Sequence, residues 1–174
     1  KVRREFPGTV FLLEGLGGGW DDTETRLTEG GMQWAYSELL QEFSSSQVAG
    51  YLDHALKQGN RIGPLVHYSE THDNDRLAKR GRNWSLLRNR LSALASVNGG
   101  YGFTCGVEWL AEQKINVHGC AGLNWGADEN IVAELAQLNE LLAAHPCFRD
   151  GTKLTRLSPD DSPVLDRKST RLNS

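Results

Sequence analysis

The segment HYSETHD, residues 67–73, places two imidazoles, two carboxylates, two aliphatic hydroxyls and a phenol directly after a short apolar run. Such a cluster suits a metal site, acid–base catalysis, or a solvated polar loop, since charged clusters are often only surface. A zinc site needs about four ligands, and the candidates are His67, Glu70, His72 and Asp73. Strand geometry separates the two histidines, because alternate residues point to opposite faces. The segment therefore favours carboxylate chemistry over metal binding.

A second carboxylate, Glu14, follows the apolar run TVFLL at residues 9–13. Cleavage of a glycosidic bond needs one carboxylic acid to protonate the leaving oxygen and another carboxylate to stabilise or attack the sugar centre. Glu14 and Asp73 are 59 residues apart, which is about two βα units of roughly 30 residues each. Because the carboxyl ends of parallel strands share one edge, the spacing predicts that the two carboxylates face the same site.

The elements that position these residues alternate along the chain. Short buried strands are predicted to begin near residues 9, 33, 64 and 101. Helical spacing predicts helices at 45–59, capped by Ser45 or Ser46, at 83–98, capped by Asn83, and at 131–142. The glycine-rich stretch 15–31 is predicted to be a long loop. This βα alternation predicts a parallel sheet, either open and doubly wound or the second half of a (β/α)₈ barrel, which needs about 250 residues when complete.

Composition limits the classes of function. A chain of 174 residues with 39% hydrophobic residues and a net charge of −3 is that of one globular domain. It has no basic stripe and no apolar run of about 18 to 20 residues, so neither nucleic acid nor a membrane is an expected partner. Cys105, Cys120 and Cys147 include no CxxC pair, and reduced thiols favour a cytoplasmic location.

Both ends of the chain depart from the pattern of a complete domain. The sequence begins at Lys1 without methionine, and its first residues suggest the middle of a helix-to-strand connection. We expect residues 1–150 to form half of a barrel and residues 151–165 to begin a truncated β domain. The tail DRKSTRLNS, residues 166–174, resembles translated sequencing adaptor, and we expect it to be non-native.

Several motifs together resemble the α-amylase superfamily, glycoside hydrolase family 13 and its relatives. FPGTVFLLEG followed by a glycine-rich loop is similar to the fifth barrel strand of that superfamily, and ETHDN at residues 70–74 resembles its seventh-strand motif. YGFTCGVEW resembles the eighth strand, and ENIVAELAQLNELLAAHPCF the helix that closes the barrel. The resemblance implies an α/β fold, a partial TIM barrel with strands 5 to 8 and their helices, before a truncated C-terminal β domain.

The resemblance also implies a role for each site residue. Glu14 is the expected proton donor and later base, and Asp73 the carboxylate that binds sugar hydroxyls and stabilises the transition state. His72 is the expected hydroxyl ligand beside Asp73. Glu70 and Asn74 flank the motif and are expected to line the site. Four tryptophans fall in or beside loops on the expected active face and could stack on glucose units, although tryptophan is also common in cores: Trp20, Trp34, Trp109 and Trp125.

The superfamily's nucleophile, an aspartate in an Arg-x-Asp motif on the fourth strand, has no counterpart in these 174 residues. The expected activity is a retaining hydrolysis of α-glucans or malto-oligosaccharides by a longer protein, with this chain inactive alone. A 4-α-glucanotransferase and a non-catalytic sugar-binding barrel stay as alternatives. No cofactor is expected. Calcium at Asp21, Asp22 and Glu24 is unsupported, since calcium takes about six or more oxygens. Linkage preference and oligomeric state stay open.

Overall fold

The computed structural model of the chain describes residues 1–97, 99–116, 118–119, 122–148, 152–162 and 166–171. Its centre is a sheet of four parallel strands: β1 (Leu12–Leu13), β2 (Trp34–Tyr36), β3 (Leu65–Tyr68) and β4 (Gly100–Gly102). The strands lie side by side in the same order as in the chain. The predicted parallel sheet is therefore confirmed, although its first strand begins at Leu12 rather than near residue 9.

The described residues also form five α-helices: α1 (Val2–Glu5), α2 (Trp20–Thr28), α3 (Ser45–Arg61), α4 (Arg82–Ala95) and α5 (Val132–Ala144). Short 3-10 helices occupy Glu38–Gln41, Leu77–Arg80 and Pro146–Phe148. Helix α3 confirms its prediction, but its N-cap is Ser44 rather than Ser45 or Ser46. The Gln47 amide donates to Ser44 Oγ, and the Ser44 amide donates to Gln47 Oε1, which completes a capping box.

Two predictions about helices are wrong. The stretch predicted as a long glycine-rich loop contains α2, because the glycine run ends at Gly19, Asp21 and Asp22 complement the positive helix N-terminus, and Leu27 is buried. Asn83 does not cap α4. The cap position is Gly81, whose φ of +90° suits a residue without a side chain, and the helix is already under way at Asn83.

One face of the sheet packs against helices α2 and α3. Leu27 of α2 and Ala55 of α3 form a buried cluster with Ala35 and Leu65 of the strands. Side chains at alternate strand positions point to the opposite face. On that face Leu12 is 37% exposed and three aromatic side chains are half-buried: Trp34, Tyr36 and Tyr68. The two faces of the sheet therefore differ in how well they are covered.

Helix α4 joins the sheet to the last helix. Ser92 Oγ donates to the Tyr68 carbonyl at 3.3 Å, and the Tyr101 hydroxyl donates to Asn89 Oδ1 at 2.7 Å. A second buried cluster links α4 and α5 with the loop after β4: Ala78, Ala93, Val107, Leu110, Ile131, Leu135 and Leu138. This packing fixes the loop after β4 relative to β3.

Strands β5 (Thr152–Arg156) and β6 (Arg167–Arg171) form a separate antiparallel pair. Arg156 lies 2.6 Å from carboxylate oxygens of both Asp53 on α3 and Asp160. The expected division at residues 150 and 165 stays a prediction. The expected non-native tail lies partly within β6, where its backbone pairs with residues 152–156.

Candidate functional site

The carboxyl edge of the parallel sheet brings Glu14, His72 and Asp73 together. Glu14 directly follows β1, and the other two lie in the loop that follows β3. A carboxylate oxygen of Glu14, a ring nitrogen of His72 and a carboxylate oxygen of Asp73 all lie within 4.8 Å of one another. Glu14 and Asp73 are exposed and His72 is half-buried. The predicted pairing of carboxylates across two βα units is thus present in the geometry.

His72 also contacts Asp73 directly, with 3.5 Å between Nε2 and Oδ2. This contact keeps the imidazole edge beside the carboxylate. The three side chains could hold a metal ion, but they supply fewer than the roughly four ligands of a closed zinc site. The absence of a metal or cofactor stays a prediction. The other metal ligands suggested for residues 67–73 do not converge. His67 faces the cavity beside α3 and α4, and Glu70 pairs with Arg76.

A tight turn shapes the loop that carries His72 and Asp73. The Asn74 amide donates to the Thr71 carbonyl at 3.3 Å, and Thr71 Oγ1 donates to Asn74 Oδ1 at 2.5 Å. Before the turn, the Ser69 amide still donates to the Gly102 carbonyl at 3.0 Å, as in a sheet. The extended backbone therefore ends near Ser69, and strand alternation does not apply to the residues beyond it.

Glu70 lies beneath this loop as one half of a buried ion pair. Its Oε1 is 2.9 Å from Arg76 Nε, and both side chains are about 2% exposed or less. The Nε hydrogen is directed to the Ala111 carbonyl at 3.3 Å, so charge attraction dominates the contact with Glu70. Burial raises the pKa of Glu70 to about 7, against the opposing effects of the Leu77 amide and the Arg76 charge. The structure places Glu70 at the base of the loop rather than on its open surface.

The four tryptophans considered as sugar platforms occupy different settings. Trp20 opens α2, donates its Nε1–H to Glu24 at 3.1 Å and packs edge-on against His54. Trp34 begins β2, so it lies at the amino end of its strand. Trp109 and Trp125 pair in the region after β4 at 5.7 Å, and Trp125 is 75% exposed. Their contact with sugar stays a prediction.

The carboxylates considered for calcium are divided between two environments. Glu24 is held by both terminal nitrogens of Arg61, at 2.8 and 2.5 Å, and accepts from Trp20. Asp21 and Asp22 lie exposed in the first turn of α2. A calcium site there stays unsupported, because Glu24 already has a cationic partner.

Two tyrosines at the carboxyl edge were not among the predicted site residues. Tyr36 and Tyr68 end β2 and β3, and their rings lie 4.5 Å apart. Burial, contact with Tyr68 and the nearby charge of Glu14 raise the pKa of Tyr36 to about 12. The signal that could have found them is their position, since each is the last residue of a strand in a parallel sheet.

An open cleft of about 760 Å³ continues from the site past Asp73 and Asn74. Its walls combine carboxylates and cations with two aromatic rings, Phe43 and Trp84, which stack at 6.2 Å. Arg80 lies over the Trp84 ring at 3.7 Å. The cleft is large enough for an extended ligand, since ligand pockets typically enclose about 300–1,000 Å³.

Comparison with known proteins gives a likeness of fold. No protein-family model and no curated protein sequence matches the chain. Among the solved structures that match is an alpha-amylase from Lactobacillus plantarum, with a TM-score of 0.67 and 15% identity. The match covers 99% of this chain and 44% of that one, so the chain spans less than half of the alpha-amylase. Within the described residues, no helix has the length and apolar character to cross a membrane.

Proposed function

We propose that the chain forms the second half of the (β/α)₈ barrel of a retaining glycoside hydrolase that acts on α-glucans. The consecutive strand order supports a barrel over a doubly wound sheet, in which the order reverses at a switch point. The contrast between a helix-covered sheet face and a partly exposed one supports it too, because the inner face of a barrel is covered only after closure. The likeness of fold to an alpha-amylase also supports the proposal.

The observation that carries the proposal is the convergence of Glu14, His72 and Asp73 within 4.8 Å at the carboxyl edge. In the proposed mechanism Glu14 protonates the glycosidic oxygen as the bond breaks and then removes a proton from the attacking water. Asp73 stabilises the positive charge that develops on the sugar ring, and His72 binds a neighbouring hydroxyl. The nucleophilic carboxylate comes from a preceding strand, outside these 174 residues.

The test compares two substrates in the protein made from its complete reading frame. Glu14→Gln removes the proton donor, so we expect kcat on maltoheptaose to fall about 100- to 10,000-fold. An aryl α-maltoside with an acidic phenol needs little protonation of its leaving group, so formation of the glycosyl-enzyme from it should be much less impaired. Asp73→Asn should impair both substrates alike. Initial rates and the pre-steady-state burst of phenol measure these differences.

A matched control is Glu140→Gln, which neutralises an exposed carboxylate on α5. It should retain wild-type rates on both substrates. If the burst of phenol from the aryl α-maltoside slows in Glu14→Gln as much as kcat on maltoheptaose does, the role of Glu14 as proton donor is contradicted. A wild-type protein that binds maltoheptaose without cleaving it would favour the non-catalytic sugar-binding alternative.

The transglycosylase alternative shares these carboxylates and differs in the acceptor. Chromatography of the products from maltoheptaose separates the two activities. Products longer than the substrate indicate transfer to a sugar acceptor, whereas hydrolysis gives only shorter chains. The cleft beside Asp73 and Asn74 is compatible with either acceptor, because it is open to water and extended.

A further inference from the structure

The loop from Thr71 to Asp75 is closed at its base by a single buried carboxylate. Glu70, which precedes the loop, lies with its Oε1 2.9 Å from Arg76 Nε, and its Oε2 accepts from the Leu77 amide at 2.7 Å. Both contacts join residues that flank the loop. The carboxylate therefore sets the distance between the two ends of the loop.

Arg76 extends the same connection to the neighbouring loop after β4. Its Nη2 donates to the Cys105 carbonyl at 2.9 Å, and its Nε donates to the Ala111 carbonyl at 3.3 Å. A side chain at Gly106, where φ is +92°, would lie 2.9 Å from Arg76 Nη2, so glycine leaves room for the guanidinium. Thr104 Oγ1 adds a bond to the Glu70 carbonyl at 3.1 Å. The pair thus connects two adjacent loops at the carboxyl edge.

The tip of the loop is exposed in contrast to its base. The side chains of His72 and Asp73 are 39% and 71% exposed, whereas those of Arg76 and Glu70 are 1% and 2% exposed. Asp73, whose side chain is mostly in water, takes its position from the groups that hold the ends of the loop. We propose that Glu70 and Arg76 are positioning residues, a buried brace that holds Asp73 and His72 opposite Glu14. The inference rests on the proposed function for its catalytic consequence, although the brace itself rests on the contacts above.

The brace depends on the shape of the guanidinium as well as on its charge. Arginine presents several donors in a planar fork, whereas lysine offers a compact charge that cannot bond several groups in that geometry. Arg76→Lys therefore keeps the charge opposite Glu70 and loses the bonds to Cys105 and Ala111. Glu70→Gln keeps an oxygen for the Leu77 amide and loses the charge.

The experiment measures hydrogen exchange and kinetics on the protein made from its complete reading frame. In Arg76→Lys we expect the peptide 70–78, which contains the bonded amides of Asn74 and Leu77, to exchange at least about 10-fold faster than in the wild type. On maltoheptaose kcat should fall about 10- to 100-fold with a smaller change in KM, because a displacement of about 1 Å is enough for such a loss. Above about pH 8, where the Glu70 carboxylate is charged in the wild type, Glu70→Gln should give the same pattern.

Arg88→Lys is the matched control. Arg88 is as deeply buried as Arg76 and also donates to two backbone carbonyls, those of Leu39 and Glu42, but it lies outside the loop. It should lower the melting temperature while peptide 70–78 exchanges at the wild-type rate below that temperature.

The outcomes separate the brace from the proposed function. Unchanged exchange in peptide 70–78 of both Arg76→Lys and Glu70→Gln overturns the brace, whether or not the protein is active. Faster exchange with an unchanged kcat overturns its positioning role. A wild-type protein without activity on any α-glucan overturns the proposed function alone, because the exchange experiment still decides whether the pair holds the loop.

Discussion

His67 is a buried imidazole on the helix side of β3. It borders a small cavity of about 20 Å³ between α3 and the end of α4, and its Nδ1 has no hydrogen-bond partner among the described protein atoms. Burial lowers the pKa of His67 to about 4. The folded protein therefore contains the neutral ring at physiological pH, and protonation favours the unfolded state.

Removal of His67 should make the protein less sensitive to acid. A histidine whose folded pKa lies below its unfolded value of 6.5 contributes stability that is complete above pH 6.5 and is lost as pH falls through about 4. The loss is on the order of 3 kcal/mol for a shift of this size. We expect His67→Gln to lack this component, while exposed His118→Gln keeps it. Urea unfolding at pH 7, 5.5 and 4 measures how the free energy of unfolding depends on pH. An equal loss of stability with acid in the wild type, His67→Gln and His118→Gln would contradict the prediction.

Glu70 acts in the opposite direction over nearly the same pH range. Because burial raises its folded pKa from 4.5 to about 7, its contribution is complete below pH 4.5 and is lost as pH rises through about 7. The pH dependences that His67 and Glu70 give to the stability of the wild type therefore partly cancel. The difference between His67→Gln and wild type isolates the histidine.

At the residue scale, the placement of the candidate site residues could be predicted only where position in a strand decides it. Glu14, His72 and Asp73 come shortly after the ends of parallel strands, and that is sufficient to predict that they meet. Glu70 is different. A turn at residues 71–74 brings its partner Arg76 back beneath the loop, and carbonyls of a loop distant in the sequence hold the guanidinium there. Neither feature leaves a pattern in the sequence.

At the scale of elements, a glycine lies where two neighbouring strands approach closely. A side chain at Gly99, just before β4, would lie 2.2 Å from the Leu65 carbonyl oxygen at the start of β3. By contrast, Gly50 lies exposed in α3, with nothing within 4 Å of the position of a side chain. The same substitution should therefore have opposite effects at these two positions.

Gly99→Ala should lower the free energy of unfolding by about 1–3 kcal/mol or more, because the backbone of β3 must move to admit the methyl group. Gly50→Ala should raise it by about 0.5–1 kcal/mol, since alanine loses less conformational freedom in a helix. Equilibrium urea unfolding of the two variants measures both effects. A neutral Gly99→Ala would show that β3 and β4 are not held this closely.

Regular apolar spacing predicted helices correctly, whereas the absence of such spacing did not reliably predict a loop. Helices α3 and α5 have apolar positions at regular spacing and were predictable from sequence, because one side of each packs on a core. Helix α2 buries only Thr23 and Leu27 and follows a run of glycines, so its pattern resembles that of a loop. Its stability comes from contacts with β1 and β2 that the local sequence does not encode.

At the scale of the whole molecule, the partly exposed face of the sheet is the main liability of these 174 residues. Leu12, Trp34 and the tyrosines lie there, and β1 and β4 each pair with one described strand only. Open strand edges beside apolar side chains are sites of association.

We expect the 174-residue chain, expressed by itself, to self-associate and to bind a hydrophobic dye. Leu12→Glu should reduce association because it places a charge on both the exposed face and the edge strand. Leu87→Glu, at a 56% exposed position on α4, is the control and should have little effect. Sedimentation velocity and anilinonaphthalene sulfonate fluorescence measure the difference. A monomeric wild-type chain that does not bind the dye would contradict an exposed apolar face.

The consecutive strand order has a consequence for how the site can change over time. Successive paired residues are separated by 22, 30 and 34 positions, as in Leu12 with Trp34, Ala35 with Leu65 and Val66 with Gly100. The entropic cost of closing a loop rises slowly with its length, and a doubling of the length adds only about 0.6 kcal/mol. Insertions in the loops at the carboxyl edge therefore need little compensation from the sheet. New loops can be tried there by insertion or recombination, with the strands that carry Glu14 and Asp73 left as they are.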